Sequence, residues 1–152
     1  MGSLYAVCEE GSQPNLRSDY GGKKMNEYVD DFTSEIPLDK MKILLQLGKE
    51  FSFDPLSSIE SEKYFISLLE KHHGNNDDEL REWLRPVVAK DFEAVDKKPV
   101  WIQDPEWLFN NGKPMTFVGQ LEMKHNQRGI HHDAMFYVFW DKESGISKTV
   151  IQ

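Results

Sequence analysis

The residues best suited to chemistry are His131, His132 and Asp133, which stand directly before the apolar and aromatic run AMFYVFW. Zinc accepts imidazole nitrogen and carboxylate oxygen as ligands. Neighbouring residues of an extended chain point to opposite sides, so His131 and Asp133 could face one ion while His132 could not. A third ligand would have to come from His125 or from the helices, and no HExxH or CxxC pattern supplies one. We therefore expect no metal site.

The same stretch is the best candidate for acid–base chemistry or ligand binding. A histidine beside a carboxylate can hold and transfer a proton when a pocket tunes its pKa. If residues 115–123 and 134–140 pair as a hairpin, Gln120 would lie near them, so the candidate ligand site is Gln120, His131 and Asp133. The chain has no G-x-S-x-G nucleophile motif and no glycine-rich phosphate loop. We therefore lean against an enzyme and expect no catalytic residue and no cofactor.

Three stretches of the N-terminal half have the spacing of amphipathic helices. They are residues 37–51, a run opened by a capping-box pattern at Ser57, and a run opened by a second such pattern at Asn76. Pro86 falls inside the third stretch, where it would clash with the carbonyl four residues earlier. A kinked helix and two helices meeting at Pro86 both fit this pattern, so we expect three or four helices.

From residue 97 onward the apolar residues alternate, which is typical of strands. The strands predicted in this way are 99–103, 115–123, 134–140 and 146–152, the last two joined by the hairpin loop DKESG. The predicted fold class is α+β, with N-terminal acidic helices packed on a small C-terminal antiparallel sheet of about four strands.

The strand 134–140 has two apolar faces, which predicts that it is central in the sheet. The helices would cover one face. The other face would be covered by an N-terminal arm, by the 103–114 loop or by a partner protein, because a large exposed apolar patch usually marks an interaction site.

Glutamines end or interrupt three of the apolar runs, at Gln103, Gln120 and Gln152. A buried amide without a partner costs about 1–3 kcal/mol. We therefore expect these side chains to be hydrogen-bonded structural residues, with Gln120 also kept as a candidate ligand residue.

A chain of 152 residues is most simply one domain. Residues 1–24 contain many Gly and Ser residues and predict a flexible arm or a short edge strand; residues 25–152 would form a single α+β domain, mainly helical over 25–96 and mainly β over 97–152. No run of about 18 apolar residues could span a bilayer, and no signal peptide is recognisable. We expect a cytoplasmic protein that does not bind membranes.

The formal net charge of −8 belongs to the N-terminal half, since residues 26–83 contain 14 acidic and 6 basic residues. A nucleic-acid-binding protein needs the opposite sign, so nucleic acid is excluded as the expected partner. An acidic surface suits a basic protein partner, whose encounter it would steer. The candidate partner-binding residues are Asp30, Asp31, Glu35, Asp77, Asp78, Glu79 and Glu82.

The C-terminal third contains the segment WIQDPEWLFNNGKPMTFVGQLEM, followed by the aromatic strand and hairpin FYVFWDKESGISKTVIQ. These two segments resemble the YwqG-like family of domains of unknown function. The matching residues are Trp107, Gly112, Lys113, Pro114, Phe117, Gln120, Phe136 and Phe139. The resemblance covers about residues 97–152 and implies a sheet, but it implies no reaction.

Size, charge and the combination of helices with a small sheet are also similar to those of bacterial immunity proteins. The favoured function is therefore a non-catalytic protein-binding module, most plausibly an immunity protein that neutralises a basic toxin domain. The alternative is a YwqG-like housekeeping domain with an unassigned small-molecule-binding or weak enzymatic role.

Overall fold

The computed structural model describes residues 33–74, 76–125 and 131–152. The predicted arm, 1–24, and two of the candidate acidic residues, Asp30 and Asp31, lie outside this part of the chain. Residues Thr33–Gln152 form one compact unit. The expectation that a single domain begins at residue 25 stays a prediction.

Three helices make up the N-terminal part that the structure describes: α1 is Leu38–Phe51, α2 is Ile59–Lys71 and α3 is Asp77–Asp91. Each has one apolar face in the core, as the helical spacing predicts. α3 runs through Pro86 as one helix, so the alternative of two helices meeting there is wrong. Pro86 is exposed, and its ring therefore displaces no packed neighbour.

The predicted helix starts are right at α3 and one residue early at α2. Asn76 caps α3, since its side chain accepts a hydrogen bond of 3.0 Å from the Asp78 N–H. The cap of α2 is Ser58, which accepts one of 3.1 Å from the Ser61 N–H. Ser57 belongs to the preceding turn, because its own N–H donates to the Asp54 carbonyl.

The described residues of the C-terminal part, 92–125 and 131–152, contain five strands in two small antiparallel sheets, where the sequence predicts about four strands in one sheet. A short hairpin pairs β1, Phe109–Asn110, with β2, Lys113–Pro114. The larger sheet has the order β3-β4-β5, made of Thr116–Met123, Ala134–Trp140 and Ser147–Ile151. β4 is therefore the central strand, as predicted, and the fold is α+β.

The predicted strand at 99–103 is wrong. Residues 99–103 join no sheet, and the backbone bends over residues 102–104. Their backbone groups are instead bonded by side chains of the three-stranded sheet, so the alternation of these residues arises from packing on a sheet without pairing to a strand.

The link between the helices and the sheet lies directly after α3. The Val95 N–H donates to the Phe117 carbonyl, and the Phe117 N–H donates to the Glu93 carbonyl, both at 2.9 Å. These two bonds form a parallel bridge between Ala94 and Phe117 at the edge of β3. The polypeptide therefore passes from helix to sheet edge within four residues of the end of α3.

Aromatic side chains fill the space between the two layers. Phe92 is 2% exposed and follows α3 directly. Its ring centroid lies 4.4 Å from that of Phe53 and 5.2 Å from that of Trp107. Trp107 in turn contacts Phe139 of the central strand, at 5.5 Å between centroids. Phe92 thus connects the helical core to the inner face of the sheet.

The outer face of the three-stranded sheet is apolar and open in the described part of the chain. Leu121 and Ile151 are 62% and 61% exposed. The 103–114 loop, one of the expected covers for this face, packs on the inner face instead, because Trp107 is buried against Phe139 there. The other two predicted covers, the arm and a partner protein, stay predictions.

Replacing Phe92 by alanine should lower the free energy of unfolding by about 3–5 kcal/mol, because it leaves a cavity between the two layers. Chemical denaturation measures this loss. Leu121→Ala is the matched control on the open face and should change stability by about 0.5 kcal/mol or less. Equal losses in the two variants would contradict the role given to Phe92.

Candidate functional site

Asp133 pairs with His125 and not with the predicted partner, His131. Its Oδ1 accepts a hydrogen bond of 2.7 Å from the His125 N–H and lies 3.0 Å from His125 Nδ1. Lys124 Nζ lies 3.6 Å from the other carboxylate oxygen. His131 and His132 are exposed and form no hydrogen bond or ion pair with any residue that the structure describes. Asp133 therefore ties the end of β3 to the start of β4.

The contacts of Asp133 make it a weaker base than an ordinary aspartate. The His125 N–H, then the imidazole, and more weakly the Lys124 charge lower the pKa of Asp133 below its ordinary value. An aspartate that acts as a base near neutral pH needs its pKa raised instead. Within the described ranges, no group of three His, Cys, Asp or Glu residues could hold a metal ion.

Gln120 lies away from His131 and Asp133. In the register of the sheet it stands opposite Tyr137, four residues along β4 from Asp133. Its Oε1 accepts a hydrogen bond of 2.8 Å from the Val100 N–H, and its Nε2 donates one of 3.3 Å to the Val100 carbonyl. The amide oxygen and the amide nitrogen of Gln120 therefore both bond the backbone of Val100.

Tyr137 and Gln152 form hydrogen bonds with the backbone from Val100 to Asp104. The Tyr137 hydroxyl donates to the Val100 carbonyl and accepts from the Ile102 N–H, both at 3.0 Å. Gln152 accepts a hydrogen bond of 3.1 Å from the Gln103 N–H. Its Nε2 also donates to the Asp104 carbonyl at 2.9 Å. We call Gln120, Tyr137 and Gln152 the side-chain clamp.

The clamp accounts for two of the three glutamines, Gln120 and Gln152, whereas the Gln103 side chain forms no hydrogen bond with the residues that the structure describes. Each amide offers one donor and one acceptor to the backbone of a segment that has no strand partner. Residues 100–104 are thereby fixed on the inner side of the sheet without backbone pairing to a strand. These contacts match the expectation that Gln120 is a hydrogen-bonded structural residue. They do not match the expectation that it lies beside His131.

Four of the five candidate acidic residues that the structure describes lie together at the start of α3. Asp77 pairs with Lys40 of α1 at 2.8 Å, and Asp78 pairs with Arg81 at 3.1 Å. Glu79 and Glu82 are exposed and form no ion pair with the residues described. We call Asp77, Asp78, Glu79 and Glu82 the acidic patch.

Glu35 lies apart from the acidic patch. It precedes α1, and its N–H donates a hydrogen bond of 2.9 Å to Glu62 of α2. Ser34 Oγ donates to the same carboxylate at 2.6 Å. Glu62 therefore fixes the chain where it enters α1, and Glu35 itself is exposed beside it.

Sequence reasoning missed a cleft between α2 and the β1–β2 hairpin. It has a volume of about 500 Å³ and is lined by Lys63, Tyr64, Ser67, Leu68, Lys71, Asp91, Asn111, Gly112, Lys113 and Pro114. The available signal was the recurrence of Lys63, Ser67 and Lys71 at intervals of four, which places them on one helical face. We call this the lysine cleft.

Comparisons of the chain with protein-family models, with curated proteins and with solved structures find no match. The resemblance of residues 97–152 to the YwqG-like family therefore stays a prediction. None of the described helices is long and apolar enough to cross a membrane.

Replacing Tyr137 by phenylalanine should accelerate hydrogen exchange at the Ile102 amide by roughly five- to tenfold, because one hydrogen bond contributes about 1 kcal/mol. The Gln103 amide is the internal control, since Gln152 still accepts its proton. Exchange of both amides can be followed by NMR. Unchanged exchange at Ile102 would show that the hydroxyl does not hold this segment.

The Asp133 carboxyl should titrate below 3.8, the ordinary aspartate value, in a carbon-detected NMR titration. His125→Ala removes the imidazole but keeps the N–H, so the pKa should rise only part of the way back. Because the folded pKa is lowered, this carboxylate stabilises the fold above the ordinary pKa, and the effect is lost as pH falls through the folded value. A midpoint near neutral pH would instead favour acid–base catalysis.

Proposed function

We propose that this chain is a non-catalytic protein-binding module and that its acidic patch contacts a basic partner protein. The supporting observation is a surplus of exposed carboxylates at one end of α3. Two of the four pair with Lys40 and Arg81, while Glu79 and Glu82 have no ion pair with the described residues. Two carboxylates are therefore available to a partner.

The dipole of α3 explains only some of the acidic residues found at its start. Asp77, Asp78 and Glu79 stand in the first turn of α3, where the helix dipole favours negative side chains. Glu82 lies beyond that turn, where the effect of the dipole has fallen off. Its negative charge adds to the repulsion within an acidic chain, and a basic partner would relieve that repulsion.

The chemistry of this surface suits a partner with clustered Lys and Arg residues. Complementary charge raises the rate of encounter and disfavours acidic competitors. An immunity protein that neutralises a basic toxin domain, working in the cytoplasm, is the specific form of this proposal. The sign and the position of the charge support it.

The test compares two double variants that remove equal charge. Glu79→Gln with Glu82→Gln neutralises the patch, and Glu70→Gln with Glu106→Gln neutralises two exposed carboxylates elsewhere. The immobilised chain is used to capture proteins from a lysate of the source cells, and the association rate of each captured basic protein is then measured. The patch variant should associate roughly tenfold more slowly at low salt, because the steering field is weakened.

The dependence of the association rate on salt concentration is the second measurement. At about 1 M salt the screening length falls to about 3 Å, so wild type and patch variant should associate at similar rates. The control variant should behave as wild type at both salt concentrations. Equal slowing of both double variants, or capture of acidic proteins only, would contradict the proposal.

A further inference from the structure

The lysine cleft has a positive rim in a chain of negative net charge. Lys63 and Lys71 stand two turns apart on the same face of α2, and both are exposed. Neither forms an ion pair with the residues that the structure describes. Lys113 of the hairpin completes the rim from the opposite side.

The third lysine is held in place by a carboxylate outside the lining. Lys113 Nζ lies 2.7 Å from Glu143 Oε1, and this hydrogen bond raises the pKa of the lysine. An ammonium group has three donors, so the ion pair leaves two for a ligand. The preceding turn has positive φ at Asn111 (49°) and Gly112 (73°), which brings the hairpin back at Lys113.

The floor of the cleft combines apolar surface with one buried hydrogen bond. The Tyr64 hydroxyl donates to Asp91 at 2.6 Å, and Tyr64 is only 9% exposed. Burial and the Asp91 charge raise the pKa of Tyr64, so the hydroxyl stays protonated. Leu68 and Pro114 supply apolar area beside it.

The arrangement of charges around the cleft indicates the class of ligand. The lining has three lysines and one aspartate, and Glu143 pairs with Lys113 from outside the lining, so the local charge is +1. A phosphate monoester is an anion with three strong acceptor oxygens, which suit three separate ammonium groups better than the two oxygens of a carboxylate do. The volume of about 500 Å³ lies within the range of roughly 300–1,000 Å³ typical of small-molecule sites.

We propose that the lysine cleft binds a small organic phosphate monoester. The phosphate lies among the ammonium groups of Lys63, Lys71 and Lys113, and the organic body packs on Leu68 and Pro114. This site is separate from the acidic patch, which lies at the other end of α3 from Asp91. The two proposals therefore succeed or fail independently.

The test is an NMR titration of the full chain with phenyl phosphate, followed through backbone amide shifts. Saturable shifts are expected at residues 63–71 and 111–113. Benzyl alcohol has a similar body without the charge and should leave these amides unmoved. Inorganic phosphate should move them with weaker affinity, because it lacks a body to pack on the floor. Equal responses to phenyl phosphate and benzyl alcohol would overturn the proposal.

A pair of double variants shows whether the cleft lysines are responsible. Lys63→Gln with Lys71→Gln should weaken phenyl phosphate binding by tenfold or more, which is about 1.4 kcal/mol or more. Lys42→Gln with Lys49→Gln removes the same charge from exposed positions of α1 and should bind as wild type does. Equal weakening in both variants would show a general charge effect and overturn the proposed site.

Discussion

The stacking of Phe92 between the helices and the sheet is the contact on which the rest of the structure depends. Its ring meets Phe53 of the helical part and Trp107 of the loop that covers the sheet. The next residues pair with Phe117 at the edge of β3. One short segment thus fixes the orientation of α3 against the sheet. The hairpin that forms one wall of the lysine cleft lies just beyond Trp107.

The helices and the central position of β4 could be predicted, because the apolar periods show which faces of a helix or a strand are buried. The 99–103 segment could not, since alternation shows which side chains are buried but not which groups bond the backbone. Here Gln120 and Gln152 supply the donors and acceptors that a neighbouring strand would otherwise provide. A glutamine inside an apolar run is therefore informative, although the sequence alone does not identify the segment that it bonds.

The candidate sites differ in how well the sequence predicts them, because the sequence shows which residues are neighbours along the chain but not which distant residues the fold brings together. Four acidic residues lie within six positions of α3, so sequence proximity predicts their clustering correctly. The partner of Asp133 was missed, because the chain turns after β3 and brings His125 back to it. The lysine cleft joins residues of α2 to Lys113, more than forty positions away, and a negative overall charge conceals a local positive surface.

Asp91 lines the lysine cleft at the end of α3 opposite the acidic patch. It is the last residue of α3, at the negative end of the helix dipole, where a carboxylate is unfavourable. The hydrogen bond from Tyr64 satisfies part of the carboxylate. The cleft contains three lysines, of which Lys113 is paired with Glu143. Asp91 therefore offsets one of the two remaining lysine charges, and the other is the charge that an anionic ligand would neutralise.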